Sequence, residues 1–482
     1  MTIQQADAPP DADRPPPEVY EALAAATPAE RAEIVLRLIE EHPRNRLVLP
    51  ARDGKPAMLD GVDLGPEALE RLGGRRASAP WFDPATGGAV LHNADLRGAS
   101  LRKANLRRAS LSGSNLEGAR LGEAMLENAR LDEANLKDAD LAAAHLSGAI
   151  LGKADLRGAM LEEAELDGAS LRFADLSGAT LEEADLQRVD LWGANLGGAT
   201  LTKSDLRDAR FDEADLRRSD LSGANLRGAI LKSTDLREAN LRGSDLREAE
   251  LLGANFGGAI LRDSKLQELD LTVCDISGVH LSGANLDGAR FGREQIGDAI
   301  GEERAEVYDQ ARKGYLVLER AFGNQGDHDA SAWAYRKRRR MQKLLARNRG
   351  KAALAAHDWP QAIRSYATYI TDQSVEWICD YGESIPRVFG SVLMLYFIFI
   401  IIYGVTGSVA REHETPTGPH FLTTRNPVDL AIFSMLAMTT GSIGIRLLPA
   451  SDLALTLVGV HVFLGVALIG LLGFVLGNRI RR

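Results

Sequence analysis

Residues 94–111 read ADLRGASLRKANLRRASL, and the spacing inside this stretch decides the fold. Leu96, Leu101, Leu106 and Leu111 stand five apart, and Ala94, Ala99, Ala104 and Ala109 each precede one of them by two. Extended in both directions, the register holds a large apolar residue from Leu91 to Ile296, at 42 consecutive positions. All are Leu except Phe211, Phe256, Ile276, Phe291 and Ile296. A helix lines one face at a period near 3.6 and a strand at a period of 2, so a sustained period of five fits neither. Such repetition marks a stacked array, in which each unit buries its apolar side only against its neighbours. The charged residues fall between the Leu and Ala positions with both signs mixed, as on a solvated face.

This A(D/N)LXX pattern resembles the pentapeptide-repeat family, and the resemblance covers residues 91–300. It implies a right-handed quadrilateral β-helix with one pentapeptide per face and four per coil. Leu would point inward at every face, beside a small residue because the corners leave little interior volume. About ten coils stacked at strand spacing, roughly 4.8 Å, would make a rod on the order of 50 Å long. The ends of such an array need caps, and helical segments before residue 60 and after residue 300 are the natural ones. The small-residue rule fails at Leu269, Val279 and Glu294, where the coil is expected to widen before it stops. Cys274 occupies the small inward site and reads as core rather than as a reactive thiol.

On the N-terminal side, residues 1–19 are rich in Pro and Asp and are predicted to be disordered. Thr27-Pro28-Ala29-Glu30 reads as an N-cap, Pro in the first turn and an acidic residue, opening a helix that runs to about Glu41. Residues 20–90 thus form a helical cap and an irregular lead-in, with LDGVDLG at 59–65 as an early repeat. On the C-terminal side, residues 301–386 form a linker with helices over 302–320 and 327–347 around Gly323–Gly326, resembling a tetratricopeptide-like hairpin. The basic row from Arg336 to Lys343 reads as juxtamembrane, attracted to anionic headgroups by about 1 kcal/mol per residue. A solvated helix face is the plainer alternative. Trp377 and Tyr381 fit the interfacial aromatic belt.

Residues 387–482 carry the functional reading. Val388–Val405 and Leu453–Gly477 are uncharged runs long enough to cross a hydrocarbon core, apart from His461 in the second. Between them Pro427 opens PVDLAIFSMLAMTTGSIG, an apolar segment too short to cross. Non-helical backbone such as TTGSIG is tolerated at membrane depth only where protein or water surrounds it. Helix, re-entrant helix, Gly-rich loop, helix: this order resembles the two-helix pore module of the potassium-channel superfamily. The stretch WICDYGESIPR at 377–387 resembles the one preceding the first membrane helix in channels that carry pentapeptide repeats. The resemblance implies a selectivity filter at Thr439, Thr440, Gly441, Ser442, Ile443 and Gly444, where backbone carbonyls would replace an ion's hydration shell. Against the family pattern T-V-G-Y-G, Thr440 and Gly444 agree while Gly441, Ser442 and Ile443 do not, so potassium selectivity is not carried over. The alternative reading of TTGSIG is a helix C-cap and turn. Arg446 and Asp429 mark the outer mouth. Arg446 is expected to pair with Asp429, Glu412 or Glu414, since four unpaired arginines there would repel cations. Gly465 is the candidate gating hinge. His461 either lines the cavity or makes a hydrogen bond between packed helices.

The net charge of −10 lies wholly within residues 91–300 and gives no case for nucleic-acid binding. Two distant cysteines exclude a disulfide framework. No P-loop, HExxH, CxxC or GxSxG motif occurs, so neither an enzyme nor a cofactor is expected. No signal peptide precedes the repeat, and basic residues flank the proposed inner side. Both termini are therefore expected in the cytoplasm, with the chain multi-pass in the cell inner membrane. Two spans cannot enclose a filter, so a pore requires a cyclic homotetramer. The expectation is a multidomain protein: a helix-capped β-helix followed by an α-helical two-span pore module conducting a monovalent cation such as K⁺ or Na⁺. Its partners would be its own copies, the bilayer and a cytosolic protein docked on the repeat. Two alternatives are a membrane-anchored scaffold without conduction, and DNA mimicry towards a topoisomerase, a role the family resemblance brings with it.

Overall fold

The structure is a computed structural model that describes residues 15–41, 47, 49, 57–71, 81–83, 85–415, 418–439 and 447–480. Contacts divide the chain after Ser331 into two units.

The first unit is built on coils of four pentapeptides. Every bridge in the regular part joins residue i to i+20 in parallel, as in Asn115 to Asn135 and Asn135 to Asp155. Each regular face gives three backbone bonds to the next coil: Leu156 donates to the Asp175 carbonyl at 2.7 Å, Asp175 to the Ala154 carbonyl at 3.0 Å, and Gly158 to the Ser177 carbonyl at 3.1 Å. Leu and Ala of each repeat are buried, with Leu156, Leu176 and Ala159 wholly covered. The Asp or Asn before each Leu has its own task. Its side chain accepts the N–H two residues on and so holds the corner, as Asp175 does for Ser177 at 3.1 Å and Asn195 for Gly197. The second residue of nearly every corner adopts a left-handed conformation, which Gly meets without strain; many Lys, Arg, Asp and Glu residues also hold it, and so does Ala143, at φ 53°.

The N-terminal cap departs from expectation in two places. Helix α1, Pro17–Ala25, starts inside the segment expected to be disordered, because Pro17 presets the first turn and Leu23 is buried; residues 1–14 lie outside the described residues. Helix α2, Pro28–Glu41, begins with a reciprocal capping box in which Thr27 N–H donates to Glu30 Oε2 at 2.8 Å and Glu30 N–H to Thr27 Oγ1. The second departure is the lead-in, which is more regular than its sequence suggests. Met58 bridges Ser100 and Asp63 bridges Asn105, so residues 57–64 supply two faces of the first coil from 42 residues upstream. The described residues between them and Ala89 include helix α3, Pro66–Arg71.

At the other end the coil widens as expected. Leu269 replaces the small residue, and the bridge from Glu250 to Asp270 is missing from an otherwise continuous ladder. A cavity of about 10 Å³ lies in the last coils, lined by Leu271, Ile276, Val279 and other apolar side chains. It is at the lower limit for one water and offers no polar partner, so it stays dry. The array is closed by α4, Arg293–Ile296, and α5, Gly301–Arg304. At Ser282 the usual Asp is replaced by His280, and the buried Glu302 supplies the missing oxygen, accepting Ser282 N–H at 2.9 Å. Arg262 and His280 flank that carboxylate at 3.7 and 3.8 Å. Helix α6, Tyr308–Gln325, packs Phe322 on Phe291 at 4.9 Å between ring centroids. The expected turn at Gly323–Gly326 is shorter: residues 323–325 stay helical and Gly326 alone turns left-handed.

The second unit begins within α7, His328–Ala355, which runs eight residues past its expected end. Helix α8, Trp359–Cys379, follows with Asp358 capping Gln361 N–H. The basic row of α7 is engaged within the chain. Arg339 donates to Asp372 at 2.7 Å, Arg340 to Glu376 at 3.1 Å, Lys343 also reaches Glu376, and Arg336 lies 3.9 Å from Asp380. These four side chains thus have acidic neighbours within the chain.

Candidate functional site

The site is assembled by three helices and a small sheet. After a single 3₁₀ turn at Asp380–Gly382, Ser384 caps Arg387 N–H and Pro386 opens helix α9, Ile385–Thr406. Gly407 ends it in a left-handed conformation. The polar connection after it, without regular structure in the sequence reading, pairs as strands β1, Val409–Thr415, and β2, Gly418–Thr423. Helix α10, Pro427–Thr439, comes next, then strand β3, Leu447–Pro449, and helix α11, Asp452–Ile480. The sheet order is β2-β1-β3, with both pairs antiparallel. In α9 a segment of 22 residues, and in α11 one of 26, is apolar and long enough to cross a membrane. Both are largely uncovered by the rest of the chain, with Phe397 58 % and Ile401 65 % exposed.

Helix α10 is 13 residues long, roughly 20 Å at 1.5 Å per residue, and falls short of a hydrocarbon core about 30 Å thick. Its start is fixed by Asn426, whose Oδ1 accepts Val428 N–H at 3.0 Å, with Pro427 as the first helical residue. Asp429 in the same turn accepts Arg411 from β1 at 3.0 Å and Thr424 Oγ1 at 3.0 Å. Two cross-bonds pin its flank to α9: Tyr396 Oη donates to the Ala431 carbonyl at 3.1 Å, and Ser434 Oγ to the Tyr396 carbonyl at 3.3 Å. A core of Phe399, Tyr403, Leu430, Phe433, Ala437 and Val458 fills the space between the three helices.

The sequence-predicted residues divide into three groups. Asp429 stands beside the sheet at the α10 start, and its carboxylate is taken by Arg411 and Thr424. Thr439 is the last residue of α10. The proposed filter residues Thr440, Gly441, Ser442, Ile443 and Gly444, and Arg446 with its expected pairing, lie outside the described residues.

Of the two readings of His461, the hydrogen bond between packed helices is the one the structure fits: His461 is fully buried, stacked on Phe399 at 3.9 Å with the rings 5° from parallel, and its Nδ1 meets Tyr403 Oη at 3.1 Å. It packs between the two long helices. The expectation for Tyr381 is corrected: it is not an exposed interfacial anchor. It is buried, with Arg339 over its ring at 5.4 Å, and burial pushes its hydroxyl well above the usual phenol range. Trp377, the other expected anchor, is 65 % exposed. Gly465 sits where α11 crosses the last turn of α10; a Cβ there would stand 2.9 Å from the Met438 carbonyl oxygen. Its lack of a side chain thus serves a close approach beside the C-terminal end of α10. Sequence reasoning missed the Arg411–Asp429 clamp and the Tyr396–Ser434 cross-bonds. The period of neither helix signals them, because each joins residues 18 or more apart.

Comparison with known proteins bears on the first unit. The family model described as pentapeptide repeats matches in eight copies, from residues 87–122 at one end to 261–293 at the other. No curated protein matches the chain. Among solved structures, HetL of the cyanobacterium Nostoc sp. strain PCC 7120, a pentapeptide repeat protein involved in heterocyst differentiation regulation, is 34 % identical. The match covers 43 % of this chain and 88 % of HetL, with a TM-score of 0.24. A pentapeptide repeat protein of the Arabidopsis thaliana thylakoid lumen is 35 % identical over 19 % of this chain and 63 % of its own, with a TM-score of 0.19. QnrB1, a plasmid-mediated fluoroquinolone resistance protein, is 18 % identical over 39 % of this chain and 92 % of its own, with a TM-score of 0.23.

Proposed function

The chain belongs to the pentapeptide-repeat family, and from that premise we propose that it is a membrane ion channel whose repeat unit is a cytosolic sensing or docking domain. One observation carries this reading: an apolar helix too short to span, capped at Asn426 and clamped at Asp429, is held between two helices of spanning length. The cap and the ion pair fix where this helix starts, and so where it delivers the segment that follows it. Its C-terminal end carries partial negative charge at Thr439 and toward the residues beyond it, which favours a cation there. Four copies around an axis would bring four such ends together. Conduction would then rest on backbone carbonyls and threonine oxygens of residues 439–444, with Gly465 allowing α11 to lie against the base of α10.

The test is flux of K⁺ and Na⁺ into liposomes carrying the purified chain. Flux above empty vesicles that is lost on replacing Thr439 and Thr440 together supports the channel. Absence of flux under every ionic condition, or a monomeric or dimeric assembly in the bilayer, overturns it.

A second reading, an anchored interaction scaffold, is favoured by one patch on the repeat. Phe173 is 50 % exposed beside Trp192, with Arg172 stacked 4.1 Å over the indole. Aromatic and Arg side chains of this kind anchor protein interfaces. A scaffold would keep its partner when Thr439 and Thr440 are replaced and lose it on Phe173→Ser with Trp192→Ser.

A further inference from the structure

Helix α8 has three faces of different character. One carries Asp372 and Glu376, engaged by Arg339, Arg340 and Lys343 of α7. A second carries exposed Arg364, Thr368 and Thr371. The third is a narrow apolar stripe of Trp359, Ile363, Ile370 and Trp377, spaced four, seven and seven residues apart and thus within about 40° around the helix. These four are 61, 68, 60 and 65 % exposed. A stripe so uncovered along the whole length of a 21-residue helix needs an occupant.

The last turn of α8 is fixed to the bases of both spanning helices. Cys379 packs with Val388 of α9 and Val475 of α11, with Val375, Leu471 and Leu472 around them, and Arg387 donates to the Glu376 carbonyl at 3.0 Å. Resting on the membrane reading above, we infer that α8 lies in the interfacial layer of the bilayer that α9 enters, with this stripe against lipid. Continuity with α9 is the first argument. The second is chemical: tryptophans at both ends present an apolar ring and one N–H, the pairing that suits the headgroup boundary. A seam to a second copy fits less well, because it needs apolar residues at both seam positions of each heptad, and between Ile370 and Trp377 stand Gln373 and Ser374. The contact is apolar rather than electrostatic, since three of the basic side chains nearest to α8 already hold its own acids. It therefore depends little on anionic lipid or salt, unlike a polybasic surface segment.

The test uses nitroxide labels placed singly at 363, 370, 364 and 371, and at 401 in α9, in the full chain with Cys274 and Cys379 replaced by alanine. The labelled chains are reconstituted in phosphatidylcholine vesicles with and without phosphatidylglycerol. Positions 363 and 370 are expected to be more accessible to oxygen than to a water-soluble nickel chelate, and 364 and 371 the reverse. Neither pattern should change with phosphatidylglycerol or added salt. Equal chelate access at all four α8 positions overturns the inference, as does spin–spin broadening at 363 and 370 from a second copy. Position 401 separates the two readings. Lipid-protected 401 with water-exposed 363 and 370 rejects the interfacial helix alone, whereas water-exposed 401 rejects the membrane reading with it.

Discussion

A Leu176→Ala substitution removes a wholly buried side chain from a coil with no slack, and is expected to cost about 2–5 kcal/mol in the repeat unit. Leu271→Ala, next to the existing cavity, should cost less, because the wall there has already given way. Urea titration of both variants checks the order. The corner residue Ala143 holds φ 53°, a conformation that penalises a Cβ by roughly 1–2 kcal/mol. Ala143→Gly should therefore stabilise by about 0.5–1 kcal/mol after glycine's entropy is counted, read as a higher unfolding midpoint. Cys274, 5 % exposed and donating to the Leu251 carbonyl, has its thiol pushed up to about 11 by burial and by Asp270 nearby. It should resist alkylation at pH 8 until the last coils open.

Element by element, two fastenings are open to test. Asp429→Asn leaves Arg411 facing a weaker acceptor and should loosen the start of α10 by about 1–3 kcal/mol. Under the channel reading, flux falls while membrane insertion is unchanged; wild-type flux in this variant would show that the clamp has no part in conduction. The cap at Glu302 carries a pH dependence. Burial holds His280 below its ordinary value of 6.5, against the pull of Glu302 and together with the push of Arg262. The unfolded chain thus binds this proton at a higher pH than the folded one. Stability is complete above 6.5 and declines as pH falls through it. Thermal melting of the repeat unit between pH 7.5 and 5.5 should show that decline, and His280→Asn should flatten it. Several elements could be read from sequence because their signals are local. Leu with Ala two places before marked the stacked array, Thr27 with Pro28 and Glu30 the N-cap of α2, and Pro427 the start of α10. The partners of Arg339 and Lys343 lie 33 residues away, and a charge run carries no address for them. Tyr381 reads as amphipathic in sequence, yet the turn at Asp380–Gly382 directs it inward. The strands β1 and β2 mix Val409, Ala410, Phe421 and Leu422 with polar residues without a period of two, so their hairpin left no apolar alternation to detect.

For the repeat unit as a whole, length is quantised. Every coil returns to the same face after twenty residues, so removing residues 151–170 deletes one coil and leaves all remaining bridges in register. The shortened unit should melt cooperatively and lose roughly one coil's share of stability, since the array is approximately a sum over neighbours. Removing residues 151–160 also keeps Leu and Ala inward, and because Ser282 and Glu302 both lie beyond the cut their contact is kept; only the faces on either side of the cut are re-paired, with His145 losing Glu165. That variant should lose stability at the cut and keep its C-terminal end protected, as amide hydrogen exchange in residues 131–180 and 271–290 would reveal. The first coil stands apart, with Met58 and Asp63 joined to partners 42 residues downstream instead of 20. During synthesis at about 5–20 residues per second, this segment leaves the ribosome on the order of several seconds before anything it can pair with. Leu59 and Leu64 meet water bare for that interval. This early-made segment closes only when younger turns arrive to pair with it.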